Sequence, residues 1–343
     1  TMKNGGKKED DVIQIRGLEE DEVSQWANFC ALCFSYKANP PPSSYFERHY
    51  FNDPRRDPSW IRVATNSQGE LVASVRIFKR TISIKNGAVD AGGIGEVCTK
   101  PSHRRLGISK MLLQNALSIM KQHGIKLSFL HAAPDFQPVY AKEGFVAVSS
   151  KWSILTLTTK LVLPQQDELQ QFQFREASFP QDTERLMEIH IFFSEERFSG
   201  CILRSKEYWE RYLSAEGTIY VLVHNHQVCS WISLRPNQTL LQMRDFGNDC
   251  SVVSTEKALS LLIHHAIVPN TDENRTLHLP TPIIQDIAQR DGGVFDIDNC
   301  ISKDDNGWMW KSLLAPDDEG YICMQQVIST TNFPHLIWPL DSF

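Results

Sequence analysis

No run of apolar residues in this 343-residue chain approaches the roughly 20 needed to cross a bilayer as a helix. The eight cysteines form no paired C-x-x-C knuckles with histidine partners, which removes the zinc-ribbon and zinc-finger frameworks and leaves no metal to expect. One C-x-x-C does occur, Cys30 and Cys33, but "FCALCF" reads as a helix face on which small buried thiols are common. Excess positive charge is missing as well. A net charge of -6 gives no electrostatic support to a nucleic-acid or anionic-membrane partner, and suits a cationic substrate better. The opening "TMKNGGKKEDD" lacks an apolar signal segment, so a disordered tail over residues 1–10 and a cytoplasmic location are the expectations.

What is present is the composition of a globular protein, 41% hydrophobic and 10% aromatic, at a length that suits two domains. "DVIQIRGL" reads as a strand, and Val23, Trp26, Phe29, Cys30 and Cys33 fall at helical spacing. After the break "NPPPSS", the stretch 58–84 alternates around Gln68-Gly69 as a hairpin. "VDAGGIGEVCTKP" is a strand ended by Pro101. Ile108, Met111, Leu112, Ala116 and Ile119 then lie on one helical stripe that Gly124 stops. "KLSFLHAAP" is a buried strand, and "DFQPVYAKEGFVAVSS" supplies a short helix and a closing strand.

From about residue 161 the order repeats loosely. A helical "SKEYWERYL" precedes a hairpin around Asn225-His226, the strand "LLQMRDF", a helix from Thr255 with Ser254 as N-cap, and the strand "TLHLPTPI". The expected architecture is α/β (α+β), with two tandem domains of mixed, mostly antiparallel sheets flanked by helices. The domains are 11–160 and 161–343, the second degenerate.

The stretch most rich in chemistry is "HRRLGIS", residues 103–109, where a strand turns into a helix. Free backbone N–H groups and the positive end of the helix dipole make such a turn an anion site. Glycine permits close approach of a phosphate, and arginine adds charge-assisted contacts. A P-loop requires Gly-Lys-Ser/Thr and a Rossmann turn G-x-G-x-x-G; the turn has neither. The corresponding turn of the second half, "GNDCSVV", lacks the Arg-x-x-Gly.

The pattern resembles the acyl-CoA loop of the GNAT superfamily of N-acetyltransferases, Arg/Gln-x-x-Gly-x-Gly/Ala. Arg104 and Gly107 match, and Ser109 stands where the family has glycine or alanine. "EVCTKP" looks like the family's fourth strand and Tyr140–Gly144–Phe145 like its Y-x-x-x-G-F segment, so the resemblance runs from Val12 to Leu155. It implies acetyl-CoA as co-substrate. The backbone of Val97, Cys98 and Thr99 would hold the pantetheine arm, and Arg104, Arg105, Leu106, Gly107, Ile108 and Ser109 the pyrophosphate. Tyr140 would protonate the departing thiolate. Glu96 is expected on the face of Cys98, opposite Val97 and Thr99, hence as a structural or substrate-side carboxylate and not the base. His131, at the end of its strand, is either a second candidate for the base or a satisfied polar residue.

Tandem halves of which only the first keeps the loop resemble Eis-type enzymes and the fungal lysine N6-acetyltransferases. In the Eis group a C-terminal carboxylate serves as base, which carries over to Phe343, although this chain has no room for the third, sterol-carrier-like domain of that group. Asp245 is expected either in a buried ion pair or as an amine-binding carboxylate. "EERFSGCILRSKEYWERYL" is either an acceptor wall or a helix packed by Trp209 and Tyr212. The implied activity is acetyl transfer to a primary amine by direct attack, the acceptor a small amine such as lysine or else a protein or peptide. A non-catalytic acyl-CoA-binding module is the alternative of another class. Oligomeric state is left open.

Overall fold

The computed structural model describes residues 12–84, 87–157, 170–237, 240–267, 275–288, 300–305, 307–318 and 336–341. The expected tail over 1–10 and Phe343 lie outside the described residues.

Local chemistry sets the elements. β1 (Gln14–Gly17) pairs with β2 (Ile61–Thr65), and β2 with β3 (Leu71–Ile84). The β2–β3 turn is shaped by Asn66, whose Oδ1 accepts from the N–H groups of Gln68 and Glu70, and by Gly69 at φ +80°. β4 (Gly87–Thr99) runs back along β3, and α3 (Ile108–Gln122) returns over the sheet to β5 (Leu127–His131). α3 buries Ile108, Leu112, Leu113, Ala116, Leu117 and Met120. Met111, expected on that stripe, faces outward, because the buried arc centres on the Leu112–Ala116 line. Gly92 is required by this packing, since a Cβ there would lie 2.3 Å from the Met120 sulfur.

The opposite face of the sheet is covered by α1 (Val23–Cys33) and α2 (Ser43–Asn52). Trp26 anchors it, its indole N–H donating to Ser74 Oγ at 2.8 Å. Cys30 and Cys33 are buried in that layer, as a helix face of small thiols should be.

Beyond β5 the chain forms α4 (Gln137–Lys142) and then two strands that part company. β6 (Val146–Ala147) stays in the first sheet, but β7 (Ser150–Leu157) joins the second. The second sheet is built from β8 (Phe172–Glu176), β9 (Tyr220–His224), β10 (Gln227–Asn237), β11 (Leu240–Asn248), β12 (Arg275–Pro280) and β13 (Ile301–Asp305). β14 (Trp308–Ser312) crosses back into the first sheet between β5 and β6.

The sheet orders are β1-β2-β3-β4-β5-β14-β6 and, read from its first strand, β8-β9-β10-β11-β12-β7-β13. Each half therefore has the same order, and each fills the same slot with a strand from the other half. A boundary at residue 160 does not separate the two sheets. The exchanged strand fills the gap between β5 and β6 in one sheet and between β12 and β13 in the other.

The second half has the expected Asn225-His226 hairpin, with both residues at positive φ (+49° and +66°) as a two-residue type I′ turn requires. Its helices α5 (Thr183–His190), α6 (Thr255–Ile267) and α7 (Thr281–Ala288) pack a core that includes Trp209, Tyr212, Trp231 and Trp338. The stretch expected to be helical around Trp209 is a π-helical turn, Tyr208–Tyr212. Segment 200–203 pairs with the end of β3 through backbone bonds between Gly200, Cys201 and Ser83 and between Leu203 and Thr81, all at 2.8 Å. Among the described residues no helix is long and apolar enough to cross a membrane.

Because each half lends the other a strand, fragments 1–160 and 161–343 made separately are expected to be aggregated or molten. Co-expressed, they should reassemble, as checked by gel filtration and circular dichroism. Arg204 holds Asp245 and Asp341, each at 2.7 Å and all fully buried. Arg204→Ala is therefore expected to cost about 3–5 kcal/mol by leaving buried charges unpaired, read from urea unfolding.

Candidate active site

β4 and β5 are paired in parallel only over Ala91–Gly93 and Leu127–Phe129. Past Gly93 the strands part, although β4 continues to Thr99 and stays bonded to β3 through Ser74–Cys98 and Ala73–Thr99. The β5-facing edge of β4 from Ile94 to Thr99, with Val97, Cys98 and Thr99 at its end, therefore opens into a wedge where an extended arm can bond as a further strand.

At the mouth of the wedge lies the 104–109 turn. Arg104, Arg105, Leu106 and Gly107 are exposed, Ser109 is half-buried, and Ile108 drives the helix into the core. Arg105 and Gly107 have positive φ, +64° and +79°, which turns the chain sharply enough to present its N–H groups at the start of α3. A Cβ on Gly107 would meet nothing within 4 Å, so glycine there serves the backbone conformation and an open approach. Arg104 is steadied by its Nε–H donating to Thr99 O at 3.2 Å and lies over the Tyr36 ring.

Opposite this turn stands α4, tied to α3 by Gln114 donating to Glu143 at 3.0 Å. Tyr140 packs on the same core as Val97, edge-to-face with Phe145 at 6.1 Å. Burial pushes its phenol up to about 12, so it carries its proton at neutral pH and can donate it.

The register of β4 against β3 slips between Ser74 and Arg76. Glu96 sits in this bulge at φ +51°, and its side chain, 5% exposed, reaches Arg76 Nη1 at 3.5 Å. Glu96 does point to the α1–α2 face with Cys98, as alternation implies. That face, however, carries a dense polar cluster. Arg76 also donates to His49 O at 3.2 Å and to Asp53 at 3.4 Å, and Arg80 reaches Asp53 at 3.0 Å. His49 Nε2 lies 3.1 Å from Glu216 Oε1 of the second half, and Tyr45 and Tyr212 lie against the His49 ring, at 4.0 and 5.7 Å. Both oxygens of Glu96, both ring nitrogens of His49, Arg76 Nη1 and the Tyr212 hydroxyl are buried without a well-aligned hydrogen bond. Polar atoms orphaned together in this way mark a place for a polar ligand or water.

Burial raises Glu96 above the ordinary carboxyl range, with Arg76 and His49 pulling it back. Cys98 is no nucleophile: its thiol lies 3.9 Å from Cys30 Sγ, and that contact and burial hold it protonated. His131, at the end of β5 on the other side of the parting, is engaged with Asp305 at 3.0 Å at the β13–β14 turn. Asp245 lies in the buried ion pair with Arg204 and faces no open space; burial lifts it to about 6. The sequence offers no motif for Tyr45, His49 or Glu216. Arg76 and Arg80, charged residues inside a strongly apolar strand, were the one available signal.

The second half differs at each of these points. β11 and β12 pair only over Leu240–Gln242 and Thr276–His278, so a similar parting exists, but segment 336–341 packs against β11 with Leu336 and Trp338 in the core. Its turn carries Asp249, paired with Arg185, where the first half has Arg104 and Arg105. That turn offers a phosphate neither the pair of arginines nor the glycine of the first.

Residues 14–147 match the acetyltransferase (GNAT) domain family. An uncharacterized N-acetyltransferase of Streptomyces avermitilis is 26% identical over 147 residues, 42% of this chain and 34% of that protein, so the chain matches about a third of the length of that relative. Among solved structures, a GCN5-related N-acetyltransferase from Anabaena variabilis superposes at TM-score 0.65 with 14% identity, covering 88% of this chain and 73% of that one. Eis1 from Mycobacterium abscessus superposes at 0.58 with 15% identity (88% and 74%). Saccharomyces cerevisiae N-myristoyltransferase with bound myristoyl-CoA superposes at 0.55 with 12% identity (88% and 79%). These likenesses establish a shared fold over both halves. The parted strands and the Arg104–Ser109 turn both lie within the residues, 14–147, that match the acetyltransferase (GNAT) domain family.

Proposed function

We propose that the protein is an N-acetyltransferase that uses acetyl-CoA and a small primary amine in a ternary complex. The observation that carries this reading is the wedge between β4 and β5 with the positively charged, glycine-bearing turn at its mouth. The backbone of Val97–Thr99 would hold the pantetheine arm, and the N–H groups of 104–109 with the Arg104 and Arg105 guanidiniums the pyrophosphate. Bound there, acetyl-CoA supplies an activated acyl thioester.

The amine reaches the wedge from the α1–α2 side, where Glu96 lies. An ammonium cannot attack, so it must first lose a proton; against the expectation that Glu96 is not the base, its carboxylate, raised by burial among orphaned polar atoms, suits that task. Tyr140, on the other side of the wedge, donates to the leaving sulfur. A small acceptor is favoured because Tyr212 and Glu216 of the second half close over the His49 side of the cluster, which leaves little room for a folded protein.

An amine panel with acetyl-CoA, followed by thiol release, tests the reading; no turnover with any amine rejects it. Tyr140→Phe is expected to lower kcat by roughly 10²–10⁴-fold while acetyl-CoA affinity, by calorimetry, stays the same. Because Glu96 must be ionised to accept the proton, activity is expected to rise with pH through its raised pKa and be lost below it. Glu96→Gln should remove that acid limb from the pH–rate profile along with most of the rate.

A further inference from the structure

Acetyl transfer to an amine imposes a proton balance. The acceptor enters as an ammonium and leaves as an amide, so it gives up two protons as the C–N bond forms and the C–S bond breaks. One ends on the thiol through Tyr140. The other, taken by Glu96, must reach solvent before the next turnover. Yet Glu96 is 5% exposed and walled by Arg76, which has no proton to exchange at neutral pH.

On the premise that the chain is an N-acetyltransferase, we propose that His49 and Glu216 form the proton outlet of Glu96, a relay that leaves the first half and surfaces on the second. His49 shares the cluster with Glu96: Arg76 meets the Glu96 carboxylate and donates to the His49 backbone carbonyl, and the imidazole is near enough to pull the Glu96 carboxyl down. Its Nε2 is 3.1 Å from Glu216 Oε1, not aligned as a resting hydrogen bond but close enough for the ring to pass a proton to the carboxylate. Nδ1, buried and without a partner, is left as the ring's accepting atom. Glu216, whose side chain is 11% exposed, is the first member at the surface. A carboxylate beside one imidazole nitrogen orients the ring and leaves the other nitrogen to accept. The relay accepts a proton at Nδ1 and releases one from Nε2 past Glu216 to water. A half-turn of the ring about its Cβ–Cγ bond then restores the first tautomer.

The groups around this path fit the role. Tyr45 from α2 and Tyr212 from the second half flank the ring, and burial lifts Tyr45 to about 12, so neither competes for the proton. Arg48 at 3.3 Å and Arg244 at 4.0 Å face Glu216. Burial raises the Glu216 carboxyl, but His49 and Arg48 outweigh it and hold the group below its ordinary range, so it rests ionised, ready to take the proton leaving Nε2 and pass it on to water. Asp53, between Arg76 and Arg80, balances the fixed positive charge behind Glu96.

The test uses the full chain, acetyl-CoA and the best amine of the panel, in a dilute non-nucleophilic buffer. His49→Gln and Glu216→Gln are each expected to lower kcat on the order of tenfold or more, with KM for acetyl-CoA unchanged. Added imidazole, a small diffusible proton carrier, should restore much of the loss in Glu216→Gln. Glu216 lies at the rim, so its variant is informative even if His49→Gln does not fold. Wild-type kcat and pH profile in Glu216→Gln, or a loss that imidazole leaves untouched while KM for the amine rises, overturns the outlet and makes Glu216 a wall of the amine pocket. An inactive wild-type chain instead rejects the acetyltransferase reading and the outlet with it.

Discussion

The exchange of β7 and β14 governs how the two halves can be built at all. A seven-stranded sheet in which the sixth strand belongs to the other half cannot be completed by either half alone. Backbone bonds from Ala132 to Gly307, Val148 to Trp308 and Leu313 to Lys126, all at 2.8 Å, stitch β14 between β5 and β6. That pairing fixes the far side of the wedge. If β14 shifted, β5 and the α4 helix that follows it would lose their support, and Tyr140 with them. The second half is in this sense a structural part of the first half's site.

Its contribution reaches further through polar contacts. Glu216 and Tyr212 approach α2, and Arg211 donates to Phe51 O at 2.9 Å, so the wall beside the bulge is built from both halves. Burying Arg76, Arg80, Asp53, Glu96 and His49 together is expensive in desolvation. Such a cluster in a strand that could have been apolar argues for chemistry over stability. The second half, by contrast, carries Leu336 and Trp338 in its core and has Asp249, paired with Arg185, where the first half has two exposed arginines. One copy of the repeat keeps an exposed basic turn and the other adds to the wall of the first.

Much of this was legible in the order of residues. Turn chemistry at Gln68-Gly69 and Asn225-His226, the helix after "HRRLGIS", and the strand before Pro101 all rest on interactions within a few residues, which a sequence displays directly. The exposed, glycine-bearing turn at 104–109 was legible for the same reason. The placement of Glu96 was half legible. Alternation gave its face correctly, but no local signal shows that the α1–α2 face holds His49, or that a bulge at φ +51° turns the carboxylate into a buried cluster.

Chain order alone thus carries the local repertoire: two similar runs of elements, one anion-binding turn and its absence from the second run. These depend on periodicity, glycine and proline, and backbone groups near in the chain. The packed fold was needed to show that β7 and β14 trade places, that Asp245 is committed to Arg204, and that His49 of one half meets Glu216 of the other. Such pairings depend on strand register and packing between distant segments, and no short stretch of sequence encodes them.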